Sequence, residues 1–417
     1  MQLIDTERLD AARAHAAAMP LEDVDVIHFD LHQQDVVLPY LARLRHEDPV
    51  HFHRDSHRGP FWSVTRFDDI KWVDTHAELF SSAGSVTLED VLDDLPVKQF
   101  IAMDPPEHDA QRKTVAPVVG PRNLAALEAT IRERVCRILD GLPVGEPFDW
   151  VQHVSIELTT QMLATLFDFP FEDRRKLTFW SDVATGGRRS GLVDSREEQV
   201  AALQDCLATM TDLMDERRAW PEARMDLLSM LAHGEATKDM DPMTFLGNLL
   251  LLIVGGNDTT RNSISGGVMA LNQYPEEYQK LRDDRSLIPN MVAEMIRWQT
   301  PVIHMRRTAL ADYELGGQQI REGDKVVMWY LSGNRDETVF PDADRLIIDR
   351  PNARGHVSFG FGIHRCMGNR LAEMQLRILW EEIMEPFRMV EVVGDVKRLP
   401  NNFIRGIADV PVQVHPW

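Results

Sequence analysis

Apolar residues recur at three- and four-residue spacing along most of the chain, which is the periodicity of amphipathic helices. The pattern predicts a short helix near the start, another over residues 38–44, and a predominantly helical region from Pro105 to about Phe245. Neither an internal repeat nor a long Gly/Ser/Pro linker interrupts it. The sequence therefore predicts a mainly α protein that forms one domain over residues 1–417.

A smaller set of segments is rich in strand formers and predicts a small β region. Two of them flank Gly316-Gly317, a dipeptide typical of a hairpin turn. The predicted strands are Val50–His53 and Phe61–Val64, which would pair as a hairpin, then Tyr313–Leu315, residues 319–320, residues 325–330, and parts of residues 390–414.

Charge and cysteine content narrow the class of protein. The chain has 417 residues and a formal net charge of −21, and phosphate contacts need a concentrated basic surface, so we expect no general nucleic-acid binding. Three cysteines, far apart in sequence, favour a reducing cytoplasm. Charged residues interrupt the first 19 positions, and the apolar run at residues 249–254 is far shorter than the roughly 20 residues that span a bilayer. We expect a cytoplasmic protein without a membrane anchor.

One cysteine, Cys366, lies in the glycine-rich segment FGFGIHRCMG at residues 359–368. Glycines let backbone amides approach sulfur closely, and such amides stabilise a thiolate and tune a metal bound to it. Haem iron is the natural candidate, because a cysteine ligand pushes electron density onto the iron and favours O–O cleavage. The alternative is an inert, buried cysteine in a tight turn.

Residues 249–254 are apolar on every side, so a helix there must be buried, and it continues into GGNDTT at residues 255–260. Each glycine inside a helix costs about 1 kcal/mol relative to alanine, and the close approach of a flat ligand would account for two in succession. Asp258 beside Thr259 can relay protons for dioxygen activation. The alternative for Thr259 is a hydrogen bond from its hydroxyl to the Gly255 carbonyl.

Two pairs of charged residues stand at helical spacing. Glu294 and Arg297 are three residues apart, which is typical of a surface ion pair that contributes little stability. His108 and Arg112 are four apart behind Asp104-Pro-Pro, a helix-start pattern that puts both on one face. By itself, each pair favours a solvated helix surface.

The spacing Phe-x-x-Gly-x-x-x-Cys-x-Gly at residues 359–368 resembles the haem-binding loop of the cytochrome P450 monooxygenases, and Asp258 with Thr259 resembles their acid–alcohol pair. The resemblance implies the cytochrome P450 fold, a triangular, mainly α single domain with a small β region that holds one haem b between these segments. It implies that Cys366 ligates the iron. Other haem-binding residues implied are His108, Arg112, Arg307 and His364 at the propionates, together with Phe359, Gly255 and Gly368, while Glu294, Arg297 and Arg350 would hold the cysteine loop.

Several phrases are closer to one subgroup, the soluble bacterial alkane hydroxylases: RWQTP at 297–301, HMRRT at 304–308 and GNRD at 333–336. This resemblance implies hydroxylation of the terminal methyl of medium-chain alkanes or fatty acids. Residues 81–97 and 183–193 follow no assignable pattern, and Arg188 and Arg189 in the second either hold a substrate carboxylate or are solvated on a loop. Candidate pocket residues, each of which could equally belong to the core, are Leu250, Leu251, Val254, Val302, Ile303 and Phe403.

The chain shows no flavin or nicotinamide module, so the family resemblance implies electrons from a two-iron ferredoxin and its FAD-containing, NAD(P)H-dependent reductase. Arg365, Arg370 and Arg377 beside the cysteine loop either form a basic patch for an acidic partner or are ordinary surface. Alternative functions are a hydroxylase of another hydrophobic molecule, terpene-like or aromatic, a peroxide-driven peroxygenase, and a haem-thiolate sensor. A sensor would not need Asp258 and Thr259, so this pair favours the monooxygenase.

Overall fold

The computed structural model describes residues 6–91 and 94–417, and α-helices predominate there. The helices are α1 (Thr6–Ala18), α2 (Phe29–Gln33), α3 (Leu38–Glu47), α4 (Phe67–Thr75), α5 (Glu107–Val115), α6 (Pro121–Asp140), α7 (Ile156–Phe167), α8 (Arg175–Gly186), α9 (Arg196–Arg218), α10 (Leu227–His233), α11 (Pro242–Gln273), α12 (Pro275–Asp283), α13 (Ile288–Gln299), α14 (Tyr330–Gly333) and α15 (Asn369–Ile383). The mainly α prediction is confirmed.

The strands are short and form small sheets. They are β1 (Val50–His53), β2 (Phe61–Val64), β3 (Phe80–Ser81), β4 (Phe148–Asp149), β5 (Met305–Ala309), β6 (Tyr313–Leu315), β7 (Gln318–Ile320), β8 (Lys325–Met328), β9 (Phe387–Val392), β10 (Lys397–Arg398), β11 (Ile407–Asp409) and β12 (Pro411–Pro416). The largest sheet has the order β1-β2-β8-β5-β3, and β4-β12-β9 form a second. The predicted hairpins β1–β2 and β6–β7 are both present, and the C-terminal tail pairs as β structure.

Strand β5 is not evident from the sequence, and β8 ends earlier than predicted. Arg306 and Arg307 occupy the middle of β5, where charged residues argue against a buried strand, yet both are buried by pairing with Asp90 and Asp74. The prediction carried β8 to Tyr330, but that residue begins α14 and is buried. Tertiary packing overrides strand propensity at both positions.

Helix α11 crosses the interior and carries residues 249–260. Asp241 caps it by accepting hydrogen bonds from two backbone N–H groups of its first turn, each 3.0 Å long. The helix packs against α7, α8 and α13. A Cβ on Gly256 would meet Leu163 of α7 at 2.8 Å. Gly256 therefore permits helix packing, although the sequence had suggested a flat ligand for both glycines.

Buried apolar side chains form three clusters that surround this arrangement. The largest lies among the central helices, the second lies beneath α1–α3, and the third lines the five-stranded sheet. Within residues 6–91 and 94–417, none of the helices combines the length and the apolar character that crossing a membrane requires.

Candidate active site

The cysteine loop, residues 359–368, folds back on itself immediately before α15. Gly362 has a φ of +64°, a conformation that favours glycine, and a Cβ there would lie 2.3 Å from the Asp74 carbonyl oxygen. The backbone N–H of Cys366 donates to the Phe359 carbonyl at 2.8 Å. The glycine-rich sequence is thus required by the backbone path that presents Cys366.

Asp74, at the end of α4, anchors this loop and was not identified from the sequence. Its buried carboxylate accepts hydrogen bonds from the Phe361 N–H at 2.7 Å and the Tyr330 hydroxyl at 2.9 Å. It also pairs with the Arg307 guanidinium at 2.7 Å. Burial raises the pKa of Asp74, and Arg307 opposes that shift. A lone aspartate in a helix has no motif, so only the fold reveals this contact.

The Cys366 thiol lines an internal cavity, which leaves the residue accessible although protein surrounds it. Desolvation raises the pKa of Cys366. The backbone N–H groups of Gly368 and Asn369 act in the opposite direction, as do the charges of Arg112 and Arg365. Amides at a helix start and nearby guanidinium groups favour a thiolate, so the loop is suited to a metal-ligating cysteine.

Glu294 and Arg297 are completely buried rather than exposed, and Arg350 joins them. Arg297 Nε lies 2.7 Å from Glu294 Oε2, and Arg350 Nε lies 3.0 Å from Glu294 Oε1. The other guanidinium N–H groups donate to backbone carbonyls of Asn334, Pro341, Asp342, Ala343 and Arg345. The triad therefore fastens α13 to the segment that precedes the cysteine loop.

Glu294→Ala is expected to destabilise the protein strongly, because it leaves two buried guanidinium groups without a carboxylate. Breaking a buried ion pair in this way costs about 3–5 kcal/mol. Urea unfolding should show that loss. Glu133→Ala is the control, since it removes an exposed pair with Arg137 on α6 and should cost less than about 0.5 kcal/mol. Equal stability of the two variants would contradict a structural role for the triad.

Four basic side chains gather at one part of the cavity wall. His364, Arg112 and Arg307 line the cavity, and His108 lies behind His364 with ring centroids 4.3 Å apart. Within the described residues, His108 Nε2 and both ring nitrogens of His364 are buried without a hydrogen-bond partner. Burial and the neighbouring Arg307 charge lower the pKa of His364 to about 2. Unpartnered buried donors are costly, so this cluster is suited to bind carboxylates of a ligand.

Gly255 and Thr259 of α11 contribute another part of the wall. A Cβ on Gly255 would meet nothing within 4 Å, so the helix surface there is open to the cavity. The Thr259 hydroxyl donates to the Gly255 carbonyl at 2.9 Å, which is the alternative that the sequence had left open. Thr259 nevertheless lines the cavity. Its hydroxyl oxygen can therefore accept a hydrogen bond while it donates to the helix.

Asp258 is buried next to α8. Its Oδ1 accepts a hydrogen bond from Ser181 at 2.9 Å, its Oδ2 accepts one from Thr185 at 3.2 Å, and Arg261 lies 3.2 Å from Oδ1. Burial raises the pKa of Asp258, whereas Arg261 lowers it. The sequence indicated Asp258 but gave no sign of Ser181 and Thr185, because contacts between distant segments leave no local pattern.

The cavity has a volume of about 530 Å³ and a largely apolar wall. Five of the six predicted pocket residues line it: Leu250, Leu251, Val254, Val302 and Phe403. The prediction for Ile303 is wrong. Its side chain is buried in the cluster beneath α1–α3, with Val327 and Trp329, because successive side chains in an extended segment point in opposite directions.

The two segments without a recognisable pattern both border the cavity. Residues 81–97 include residues 92 and 93, which lie outside the described residues. Residues 183–193 include the end of α8 and a 3-10 turn at Gly187–Ser190. Arg189 lines the cavity 4.0 Å from Glu89, whereas Arg188 is not part of its wall.

The residues fit a flat, dianionic ligand with a metal at its centre. Cys366 offers the sulfur, Gly255 leaves room for a flat group against the helix, and the unpartnered ring nitrogens of His108 and His364 beside two arginines suit a pair of carboxylates. Phe359 and Gly368 also line this space. Fold and site together define a thiolate-ligated haem protein.

Comparison with known proteins supports this class. The cytochrome P450 family profile matches residues 131–408. Linalool 8-monooxygenase of Pseudomonas putida is 37% identical over 95% of this chain and 100% of its own. A methyl-branched lipid omega-hydroxylase of Mycobacterium tuberculosis is 31% identical over 94% of this chain and 95% of its own. The structure of cytochrome P450-153 from Novosphingobium aromaticivorans superposes with a TM-score of 0.87 at 47% identity, covering 94% of this chain and 99% of that one.

The chain belongs to the cytochrome P450 family, and its cofactor is haem b. The predicted family, fold and cofactor are thereby confirmed. Family membership also makes the protein a monooxygenase.

Proposed function

We propose that this monooxygenase hydroxylates the terminal methyl group of medium-chain alkanes or fatty acids. The observation that carries the proposal is the apolar cavity that lies directly against Cys366 and is bordered by Thr259 and Thr185, with the buried carboxylate of Asp258 hydrogen-bonded to Thr185 behind the wall. An apolar substrate, a thiolate ligand and a source of protons are therefore close together.

Each part of the site has a defined task in this proposal. Haem b, when bound, supplies dioxygen activation and C–H oxidation at its iron, and Cys366 is the iron ligand. The basic cluster binds the propionates, which would otherwise be buried without partners: His108, Arg112, Arg307 and His364. Thr259 holds a hydroxyl at the cavity wall, and Asp258 carries protons to it. The triad around Glu294 keeps the cysteine loop in place.

Terminal attack needs confinement by the protein. A terminal methyl C–H bond is stronger than an internal one, so reactivity alone favours internal positions. The leucine and valine side chains of the wall can restrict an alkyl chain to an end-on approach. The name of one relative, methyl-branched lipid omega-hydroxylase, supports attack at a chain end.

Octane is expected to give mainly 1-octanol, because only a narrow cavity brings the terminal methyl closest to the iron. Gas chromatography of the products measures this directly. Leu251→Ala widens the wall and should raise the share of 2- and 3-octanol. Ile303→Val, outside the cavity, is the matched control and should leave the product ratio unchanged. Chiefly internal alcohols from the unmodified protein would refute terminal selectivity.

The substrate class can be decided by binding. Arg189 in the cavity wall is compatible with a fatty-acid carboxylate, although Glu89 beside it and its stacking on Phe29 also account for its position. The relative that is a linalool 8-monooxygenase favours a terpene as the second candidate. Spin-state titrations with octane, dodecanoic acid and linalool rank the three classes by dissociation constant.

Two-iron ferredoxin and an FAD-containing, NAD(P)H-dependent reductase are the proposed electron donors. Arg365 lies in the cysteine loop and Arg370 follows it at the start of α15, where an acidic ferredoxin could dock, whereas Arg377 already pairs with Glu128 and Glu381. Turnover of octane with NADH and ferredoxin should exceed turnover with hydrogen peroxide. The reverse ratio would favour a peroxygenase, and no turnover with either would favour a sensor. A cytoplasmic location stays a prediction from the sequence.

A further inference from the structure

Asp182 on helix α8 places a second carboxylate beside the buried pair of Asp258 and Arg261. Arg261 follows Asp258 by three residues on α11, and its Nη2 lies 2.7 Å from Asp182 Oδ1 but 3.2 Å from Asp258 Oδ1. The side chains of Asp258 and Arg261 are 1% and 5% exposed, whereas that of Asp182 is 22% exposed. One guanidinium is therefore shared, and the carboxylate nearer to solvent holds it more closely.

Because Arg261 is shared, the negative charge of the Asp258 carboxylate is only partly compensated. Its other partners are the neutral groups of Ser181, Thr185 and Asn257, at 2.9 Å, 3.2 Å and 3.0 Å. Among the described residues, the charged side chains with the largest effects on Asp258 are Arg261 and Asp182. Burial raises the pKa of Asp258, Arg261 lowers it, and Asp182 raises it further. The pKa of Asp258 therefore depends on whether Arg261 pairs more closely with Asp258 or with Asp182.

We propose that Asp182 is a positioning residue for proton transfer, which draws Arg261 away from Asp258 so that Asp258 can serve as a proton donor. The inference rests on the proposed role of Asp258 as a proton carrier and names the residue that adjusts it. If Arg261 paired with Asp258 alone, the carboxylate would stay ionised and have no proton to give. A general acid is most effective when its pKa lies near the working pH.

In each catalytic cycle, Asp258 loses one proton and regains one. Asp258 gives its carboxyl proton towards the cavity and becomes a carboxylate, which Arg261 then stabilises at 3.2 Å. A proton from water restores the acid form. Asp182 gives and receives no proton in this cycle, and its task is to limit how firmly Arg261 holds the ionised form of Asp258.

The test measures the pKa of Asp258 in the resting, haem-loaded protein. The probe is the infrared band of its carboxylic acid, assigned as the band that Asp258→Asn removes. Both carboxylates contact one nitrogen, so they lie no more than about 6 Å apart, and at an effective dielectric constant of about 20 their repulsion corresponds to about two pKa units. Asp182→Asn should lower the pKa of Asp258 by about one to two units.

Two variants control for structural damage. Asp182→Glu retains the charge and should keep the pKa of Asp258 close to that of the unmodified protein. Asp205→Asn alters another carboxylate beside α8, which accepts a hydrogen bond from Trp180 at 3.3 Å and has no contact with Arg261, and should have no effect. An unchanged pKa of Asp258 in folded Asp182→Asn would overturn the proposal.

The pH profile of octane hydroxylation gives a second readout. A lower pKa of Asp258 means that its acid form persists only at lower pH, so the alkaline limb of the profile for Asp182→Asn should move down by the same one to two units. At a pH above the pKa of Asp258, the rate should fall roughly tenfold for each unit by which that pKa is lowered. A lower rate with an unshifted profile would show a merely structural role and overturn the proposal. Full coupled turnover by Asp258→Asn would instead remove Asp258 itself from the mechanism, which separates the two failures.

Discussion

Replacement of Cys366 by serine is expected to abolish the strongly red-shifted Soret band that carbon monoxide gives with the reduced haem protein. That band requires a thiolate ligand on the iron, and a serine hydroxyl would donate far less electron density to it. Octane hydroxylation should be lost together with the band, since the thiolate is what favours O–O cleavage. Difference spectra of the reduced protein with and without carbon monoxide make the measurement.

Cys206→Ser is the matched control for this experiment. Cys206 is buried in the main hydrophobic cluster on α9, and burial raises the pKa of its thiol, so it is suited to packing rather than to ligation. The control should retain the red-shifted band. If Cys366→Ser kept the band, the ligand would have to be sought elsewhere, and the assignment of the cysteine loop would be wrong.

The parts of the site that could be predicted from the sequence are those whose residues lie close together along the chain. The glycines around Cys366 and the apolar run before Asp258 are contiguous, so a local pattern shows both their conformation and their chemistry. The helix and hairpin predictions succeeded for the same reason, because residues close in sequence determine the periodicity.

The parts that could not be predicted depend on contacts between distant segments. Asp74 anchors the cysteine loop from a helix almost 290 residues earlier, and Asp182 reaches Arg261 across 79 residues. Neither aspartate stands in a motif. Ile303 was misassigned for a related reason, since which side of an extended segment faces the cavity is decided by the sheet and helices packed against it. Long-range pairing of this kind leaves no periodic signal.

Asp258→Asn is expected to slow coupled turnover by about 100-fold, the lower end of what loss of a general acid or base costs. Asparagine has nearly the same shape and still accepts the hydrogen bond from Ser181, but it cannot carry the proton. Octane binding, followed by the spin-state change, should therefore be unaltered. Stopped-flow oxidation of NADH with saturating ferredoxin measures the loss.

Thr259→Ala separates the task of the hydroxyl from that of the carboxyl. Removal of the Thr259 hydroxyl takes a polar group from the cavity wall but leaves Asp258 and its partners on α8 in place. NADH consumption should therefore continue with octane bound, while more hydrogen peroxide and less alcohol are formed, because protons arrive without the correct orientation. If Thr259→Ala kept full coupling, Thr259 would have no part in proton delivery. If Asp258→Asn consumed NADH at an unchanged rate but formed more hydrogen peroxide and less alcohol, the two residues would act at the same step. The division of tasks between them would then have to be abandoned.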